Sequence, residues 1–509
     1  MLFNSLPFIL GFLPPVLLIY WLLARHDEVR LYFLLLTSVL FYGYRDWRFE
    51  PLLLGSVLFN WLAALAFFRI RRKSLLIAAI VANLLSLAVF KYLGFFAGAV
   101  ADATGWSLDL PTILLPIGIS FFTFHNIIYL ADLYASRAPR YSLRDYGLYI
   151  ALFPQILAGP LVRYYEIVPQ FRLSPLREGW EARLAQGIAL FLMGLGKKIL
   201  LADSLAPLAD PVFAAAGQHA PTQGEAWTAA LAFPLQIYFD FSGYSDMAIG
   251  LALMLGFGLP VNFNAPYRAD SLREFWRRWH MTLSRFLRDY LYIPLGGNRH
   301  GLTRQLAALL ITMALGGLWH GAGWTFVIWG TLHGIGLAAG VLWRRWFAPI
   351  PRPVGWAMLM VFLLVSWIFF RAPSLAAACN VLLAMLAGGG PAWPRGLGTP
   401  RRTGDGRRAV RDVRRWCQRG GRPGRRDHGD RAVRRSRSAD AGRVQGLDGR
   451  ADRPDAVRHL RAARHRRADR RDERRQHAVA VDPRAHAGAR PPAGGRADAH
   501  SPLLGSHSR

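Results

Sequence analysis

Two histidines offer most of the chemistry in this sequence. His320 stands in Leu318-Trp319-His320-Gly321, between the apolar runs Leu306 to Leu318 and Trp324 to Leu342. Gly316, Gly317, Gly321 and Gly323 flank it, and such small residues let another backbone or a ligand approach closely. An ionisable side chain is expensive in apolar surroundings, which makes His320 a site candidate; the alternative is a core histidine bonded to a backbone carbonyl. An imidazole, with an unperturbed pKa of about 6.5, can accept a proton near neutral pH. His280 follows Trp279 in a stretch rich in Trp and Arg. Asp240 and Asp246 lie either side of Gly243 in Tyr238-Phe239-Asp240-Phe241-Ser242-Gly243-Tyr244-Ser245-Asp246. Those carboxylates suit cation binding, proton transfer or ion pairing with arginines, and the structural ion pair is the expectation. His125, Tyr129 and Asp132 share one helix face and read as a packing network. No His-Glu-x-x-His spacing and no Walker-type phosphate loop occurs, so no metal site is expected and ATP-driven chemistry is not indicated. The only cysteines, Cys379 and Cys417, exclude a disulfide scaffold and a Cys-based zinc site.

The elements that position these residues are apolar runs recurring from the first residue onward. Candidate stretches are Leu2 to Ala24, Leu31 to Tyr44, Leu52 to Phe68, Leu75 to Val100, Thr112 to Leu130, Tyr146 to Leu161, Ala185 to Leu201, Trp227 to Phe239 and Tyr244 to Phe257. Leu306 to Leu318, Trp324 to Leu342, Val354 to Phe370 and Leu375 to Leu386 complete the set. Several are too short for a hydrocarbon core of about 30 Å and suit re-entrant segments. Leu2 to Ala24 lacks a basic leader and reads as a retained first helix. The pattern predicts an all-α polytopic membrane protein. Arg69, Arg71, Arg72 and Lys73 make a basic loop expected in the cytoplasm, which places the N-terminus and the loop Ala101 to Pro111 outside. Between Ser271 and Leu291 the residues Leu272, Phe275, Trp276, Trp279, Leu283, Phe286, Leu287 and Tyr290 form one helical stripe with arginines off it. That predicts a single amphipathic helix lying in the membrane interface, with His280 at the stripe's edge, partly buried and with one ring nitrogen free.

Charge divides the chain. The formal net charge is +30, and residues 395–509 hold 32 Arg against 13 acidic residues. The tail contains no Lys, Asn, Ile, Met, Phe or Tyr and one aromatic, Trp416. A nucleic-acid-binding extension would interleave aromatics for stacking, so no nucleic-acid partner is expected. The missing residue types share AT-rich codons, and residues 391–509 therefore read as out-of-frame sequence or a disordered tail. Residues 1–390 form the expected membrane domain, truncated at its C-terminal end.

Long ordered motifs give the membrane domain a resemblance. These are Phe263-Asn264-Ala265-Pro266-Tyr267, Glu274 to Ser284, Asp289 to Asn298 and Leu318 to Gly321, preceded by Phe153-Pro154-Gln155, Ala158-Gly159-Pro160 and Tyr238 to Asp246. Together they resemble the membrane-bound O-acyltransferase family, nearest its alginate O-acetyltransferase membrane subunits. The teichoic-acid D-alanyl transfer branch is similar at the Trp-His motifs and less so around Tyr292 to Asn298. The resemblance implies a many-helix bundle around a tunnel, with functional histidines at the positions of His320 and His280. It implies transfer of an acetyl group from a cytoplasmic donor, acetyl-CoA or another acetyl thioester, to an exopolysaccharide, with no bound cofactor. Periplasmic accessory proteins, the polymer and membrane lipids are the implied partners, and the bacterial inner membrane the location.

On that footing His320 is expected to deprotonate or orient the acceptor hydroxyl, while His280 or a nearby donor polarises the thioester carbonyl or assists the departing thiolate. Arg277, Arg278 and Arg285 are candidate contacts for the donor's phosphates or for anionic headgroups. Trp279, Trp319 and Asp240 are further candidate substrate contacts. A polysaccharide transporter and a scaffold subunit are the competing classes.

Overall fold

The computed structural model describes residues 1–387 apart from 45, 107–112 and 158, and these contain helices without strands. The Arg-rich tail lies outside the described residues. A π-helical turn at Pro7–Phe12 leads into α1 (Leu13–Leu22), followed by α2 (Asp27–Gly43), α3 (Glu50–Ile70) and α4 (Lys73–Thr104). Next come α5 (Ile119–Tyr134), α6 (Leu143–Ala151), α7 (Tyr164–Ile167), α8 (Trp180–Gly196), α9 (Asp203–Ala215) and α10 (Gln223–Met254). The short helices α11 (Leu272–Arg278) and α12 (Met281–Leu287) precede α13 (Leu302–His320), α14 (Trp324–Trp346), α15 (Arg352–Arg371) and α16 (Leu375–Leu386).

Local signals set many boundaries. Ser142, Ser271 and Ser374 each accept a hydrogen bond from the backbone N–H three residues on, and Thr222 with Glu225 forms a reciprocal cap that starts α10. Among the described residues, six segments are long and apolar enough to cross a membrane: Trp47–Ile70, Lys73–Thr104, Trp180–Ala215, Leu302–His320, Trp324–Trp346 and Arg352–Arg371. Large apolar side chains on their outer faces, such as Leu62, Leu85 and Val361, are exposed, as lipid contact requires.

Several expected elements differ from those found. Trp227 to Phe239 and Tyr244 to Phe257 are not two stretches: α10 runs unbroken through Asp240 between them and on past Asp246, because Gly243 is a helix–helix contact rather than a turn. Tyr146 to Leu161 does not cross; α6 ends at Ala151 and irregular buried chain follows. α4 extends to Thr104, into the expected outer loop. The stripe of Ser271 to Leu291 is broken at Trp279 and His280, and Phe275, Trp276, Trp279, Leu283, Phe286 and Leu287 are buried against protein. An apolar face cannot report whether lipid or protein covers it.

Close helix contacts fix the frame. α8 meets α10 through glycine pairs: a Cβ on Gly194 would stand 2.5 Å from the Gly243 carbonyl oxygen, and one on Gly250 would stand 2.6 Å from that of Gly187. α13 and α14 meet even more tightly at Gly317 and Gly330, where any Cβ would strike the Phe326 or Met313 carbonyl. Gly317→Val must therefore separate the hairpin that carries His320, and overpacking of this kind costs about 1–3 kcal/mol or more. A lowered unfolding midpoint in detergent is the expected result; a midpoint equal to wild type would show that the two helices do not need this contact.

Two buried apolar clusters result. One gathers the N-terminal helices with parts of α8, α10 and α12; the other joins α9, α10, α11 and α13 to α16. Side chains from both clusters line one internal cavity.

Candidate active site

His280 owes its place to the break between α11 and α12. Its backbone adopts φ 41°, a left-handed conformation unusual for a side-chain-bearing residue, and Trp279 before it is extended. The segment 262–264 runs beside the break and holds it: Met281 N–H donates to the Asn262 carbonyl at 2.9 Å, and Asn264 N–H to that of Arg278 at 2.9 Å. The Asn262 side chain fixes the imidazole. Its Oδ1 accepts from Thr282 N–H at 3.2 Å and Thr282 Oγ1 at 2.9 Å, and lies 3.2 Å from His280 Nδ1. An amide oxygen cannot donate, so the network assigns the proton to Nδ1 and leaves Nε2 as a lone-pair acceptor. Nε2 is buried and has no hydrogen-bond partner in the protein.

His320 is the last residue of α13, delivered by the tight α13–α14 hairpin. Its ring packs edge-on against Trp329 at 5.0 Å and Phe370 at 5.3 Å between centroids, and beside Trp319 at 4.7 Å. It is only half-buried because it faces a cavity of about 420 Å³. His280, Trp279, Trp319 and Asp240 face the same cavity, with Trp329, Trp367 and Phe241 completing much of an aromatic wall. Two imidazoles in one largely apolar chamber suit proton transfer from a hydroxyl, since the surrounding aromatic rings hold the acceptors in place.

Comparison with known proteins bears on what that proton transfer serves. Residues 119–381 match the model of MBOAT, the membrane-bound O-acyltransferase family. The chain is 38% identical over 422 residues to "Peptidoglycan O-acetyltransferase" of Helicobacter pylori, covering 76% of this chain and 80% of that protein. It is 42% identical over 402 residues to "Probable alginate O-acetylase AlgI" of Pseudomonas aeruginosa, covering 76% and 75%. A "Teichoic acid D-alanyltransferase" of Lacticaseibacillus rhamnosus is 26% identical over 330 residues, covering 62% and 79%. The chain belongs to the membrane-bound O-acyltransferase family. It is an O-acyltransferase in a multi-pass membrane fold, and the transporter and scaffold classes are set aside.

In this acyltransferase the expected site residues divide sharply. His320, His280, Trp279, Trp319 and Asp240 come together around the cavity. Arg277, Arg278 and Arg285 do not line it. Arg278 is paired with Glu274 at 2.5 Å, a hydrogen bond that holds the Glu274 carboxyl below its usual range, and Arg285 with Glu166 at 2.6 Å. Arg277 is exposed on α11. The aspartates do form ion pairs, but not with arginines. Asp240 binds Lys198 at 2.6 Å and Asp246 binds Lys197 at 2.5 Å, because the turn after α8 brings both lysines against α10. His280 is fully buried rather than at a stripe's edge, and its tautomer makes Nε2 an acceptor unable to polarise a carbonyl. On α5, Tyr129 donates to the Pro139 carbonyl and Asp132 accepts from Tyr164, whereas both His125 nitrogens lack partners. The stripe is a packing network, as expected: Tyr164 packs on the Tyr129 ring while donating to Asp132, and Tyr149 packs against both His125 and Tyr164.

Three residues escaped the sequence reading of this acyltransferase. Asn262 stands one residue before the motif that begins at Phe263, with no signal beyond that adjacency. Lys198 lines the cavity from a distant turn. Lys91 is an isolated cation inside the run Leu75 to Val100, and the cost of burying charge in a membrane helix would have singled it out.

Proposed function

We propose that this enzyme transfers acetyl groups from a cytoplasmic thioester, acetyl-CoA or another acetyl thioester, to hydroxyls of an envelope exopolysaccharide such as alginate. The observation that carries the reading is the pair His320 and His280 lining one aromatic cavity, with His280 Nε2 left without a protein partner. Support for acetyl over D-alanyl transfer comes from identities of 38% and 42% to proteins named as O-acetylating, against 26% and 28% for the D-alanyltransferases. His320 accepts the hydroxyl proton as the acceptor oxygen bonds to the acyl carbon. The carbon–sulfur bond then breaks, and the thiolate recovers the proton from His320. His280 orients a substrate N–H or O–H by accepting its hydrogen bond at Nε2. Trp279, Trp319 and Asp240 shape the substrate's path, with Asp240 bridged to Lys198.

The bacterial inner membrane is the setting, with the basic loop 69–73 in the cytoplasm and the N-terminus in the periplasm. Accessory proteins of the polysaccharide system work on the periplasmic side. Membrane vesicles given radiolabelled acetyl-CoA and de-O-acetylated polymer test the reading. Alkali-labile acetyl ester on the polymer is the expected product; label released only as free acetate would overturn it.

A further inference from the structure

Lys91 sits inside α4, and its ammonium donates to the carbonyl oxygen of Trp319, the residue before His320. Its neighbour Tyr92 donates to the preceding carbonyl, that of Leu318, at 3.1 Å. These are end carbonyls of α13, which lack helical partners and lie at the negative end of the helix dipole. Capping alone does not call for a charge: a neutral donor does the same work, as Tyr92 demonstrates one residue earlier. Among the described residues no carboxylate pairs with Lys91, whereas Lys198, the other cation near His320, is tied to Asp240 at 2.6 Å and Asp203 at 2.8 Å. The Lys91 ammonium also lies 5.5 Å from the Trp319 ring centroid.

Lys91 faces a second cavity of about 230 Å³, bounded by the start of α5 and by Leu157. This smaller cavity and the larger one share Phe121, Trp319 and His320, so the Trp319–His320 pair stands where they meet. An acyl carbon attacked beside His320 develops negative charge on its carbonyl oxygen. The tautomer of His280 offers no donor there, and an uncompensated cation beside the reacting centre is the arrangement that stabilises such an oxyanion.

We propose that Lys91 is a catalytic residue that contacts the acyl carbonyl oxygen and stabilises its negative charge in the tetrahedral intermediate. The assignment rests on the thioester-donor reading above. The acceptor oxygen adds to the carbonyl carbon, the carbonyl electron pair moves to oxygen facing the Lys91 ammonium, and its return expels the thiolate. Lys91 keeps its proton throughout.

Wild type, Lys91→Met and Lys91→Arg are compared in membranes containing equal amounts of each full-length chain, with acetyl-CoA and with fluoroacetyl-CoA. Lys91→Met keeps the apolar stem, and its kcat is expected to fall about 10²–10³-fold, the usual effect of losing one oxyanion donor, with the donor KM little changed. Lys91→Arg keeps charge and is expected to lose less. Fluorine makes the oxyanion less basic and less dependent on a cation, so the Lys91→Met deficit is expected to shrink with fluoroacetyl-CoA. A merely structural lysine would lower both donors equally, and that result, or a Lys91→Met enzyme as fast as wild type, overturns the role of Lys91 alone. If wild type itself makes no ester, the donor reading fails and takes this assignment with it.

Discussion

His320→Ala is expected to abolish measurable acetyl ester formation while the protein accumulates in the membrane at its normal level. General-base catalysis by a positioned side chain contributes about 10²–10⁴-fold, and among the described side chains lining the cavity His320 alone combines a basic imidazole with half-exposure, since His280 is buried and an indole nitrogen is not a base. The fold should survive the change. His320 is the final residue of α13, its ring contacts are edge contacts to Trp329 and Phe370, and the hairpin is closed by Gly317 and Gly330 instead. Truncation leaves space of about one imidazole beside a cavity of about 420 Å³. Added imidazole should therefore restore part of the lost rate, which separates loss of a base from loss of structure. Alkali-released acetate per milligram of polymer, against membrane protein measured by immunoblot, gives the result. Ester formation within tenfold of wild type would remove His320 from the chemistry.

At His280 the informative substitution is asparagine. His280→Ala would remove the ring that packs against Phe241 and Phe263 at a backbone held at φ 41°, so lost activity would say little. Asparagine tolerates the left-handed conformation, and its amide N–H takes the place of Nδ1–H toward Asn262. Only the group at Nε2 disappears. We expect His280→Asn to be as stable as wild type and to lose about 10²-fold or more in kcat/KM, within the range for positioned polar groups. His280→Gln, which puts an amide near the Nε2 position, should recover part of that. Equal activity in His280→Asn and wild type would reduce His280 to a structural wedge.

Particular elements explain how far sequence alone could go. The helical class and the candidate histidines were legible because charge burial in a membrane is costly and leaves isolated polar residues visible in apolar runs. What covers the stripe of Ser271 to Leu291 is not legible in the sequence: its Trp and Phe meet protein from α5, α14 and α15, and lipid or protein demands the same residues. Its break escaped notice because Trp279 and His280 keep helical spacing; the left-handed turn depends on Asn262, which pairs across 18 positions. The aspartates were paired with the wrong cations for a similar reason. Lys198 lies 42 positions before Asp240, and only the turn after α8 brings them together.

The sequence by itself determined that apolar helices build this protein, that it belongs among acyl-transferring membrane proteins, and that His320 and His280 are its reactive candidates. Those conclusions rest on residue type, period and ordered motif, all local properties. Tertiary structure decided which nitrogen of His280 is open, which arginines are neutralised, and that Lys91 stands beside His320. Those facts are set by hydrogen bonds and ion pairs between residues far apart in the chain, whose geometry exists only after the helices have packed.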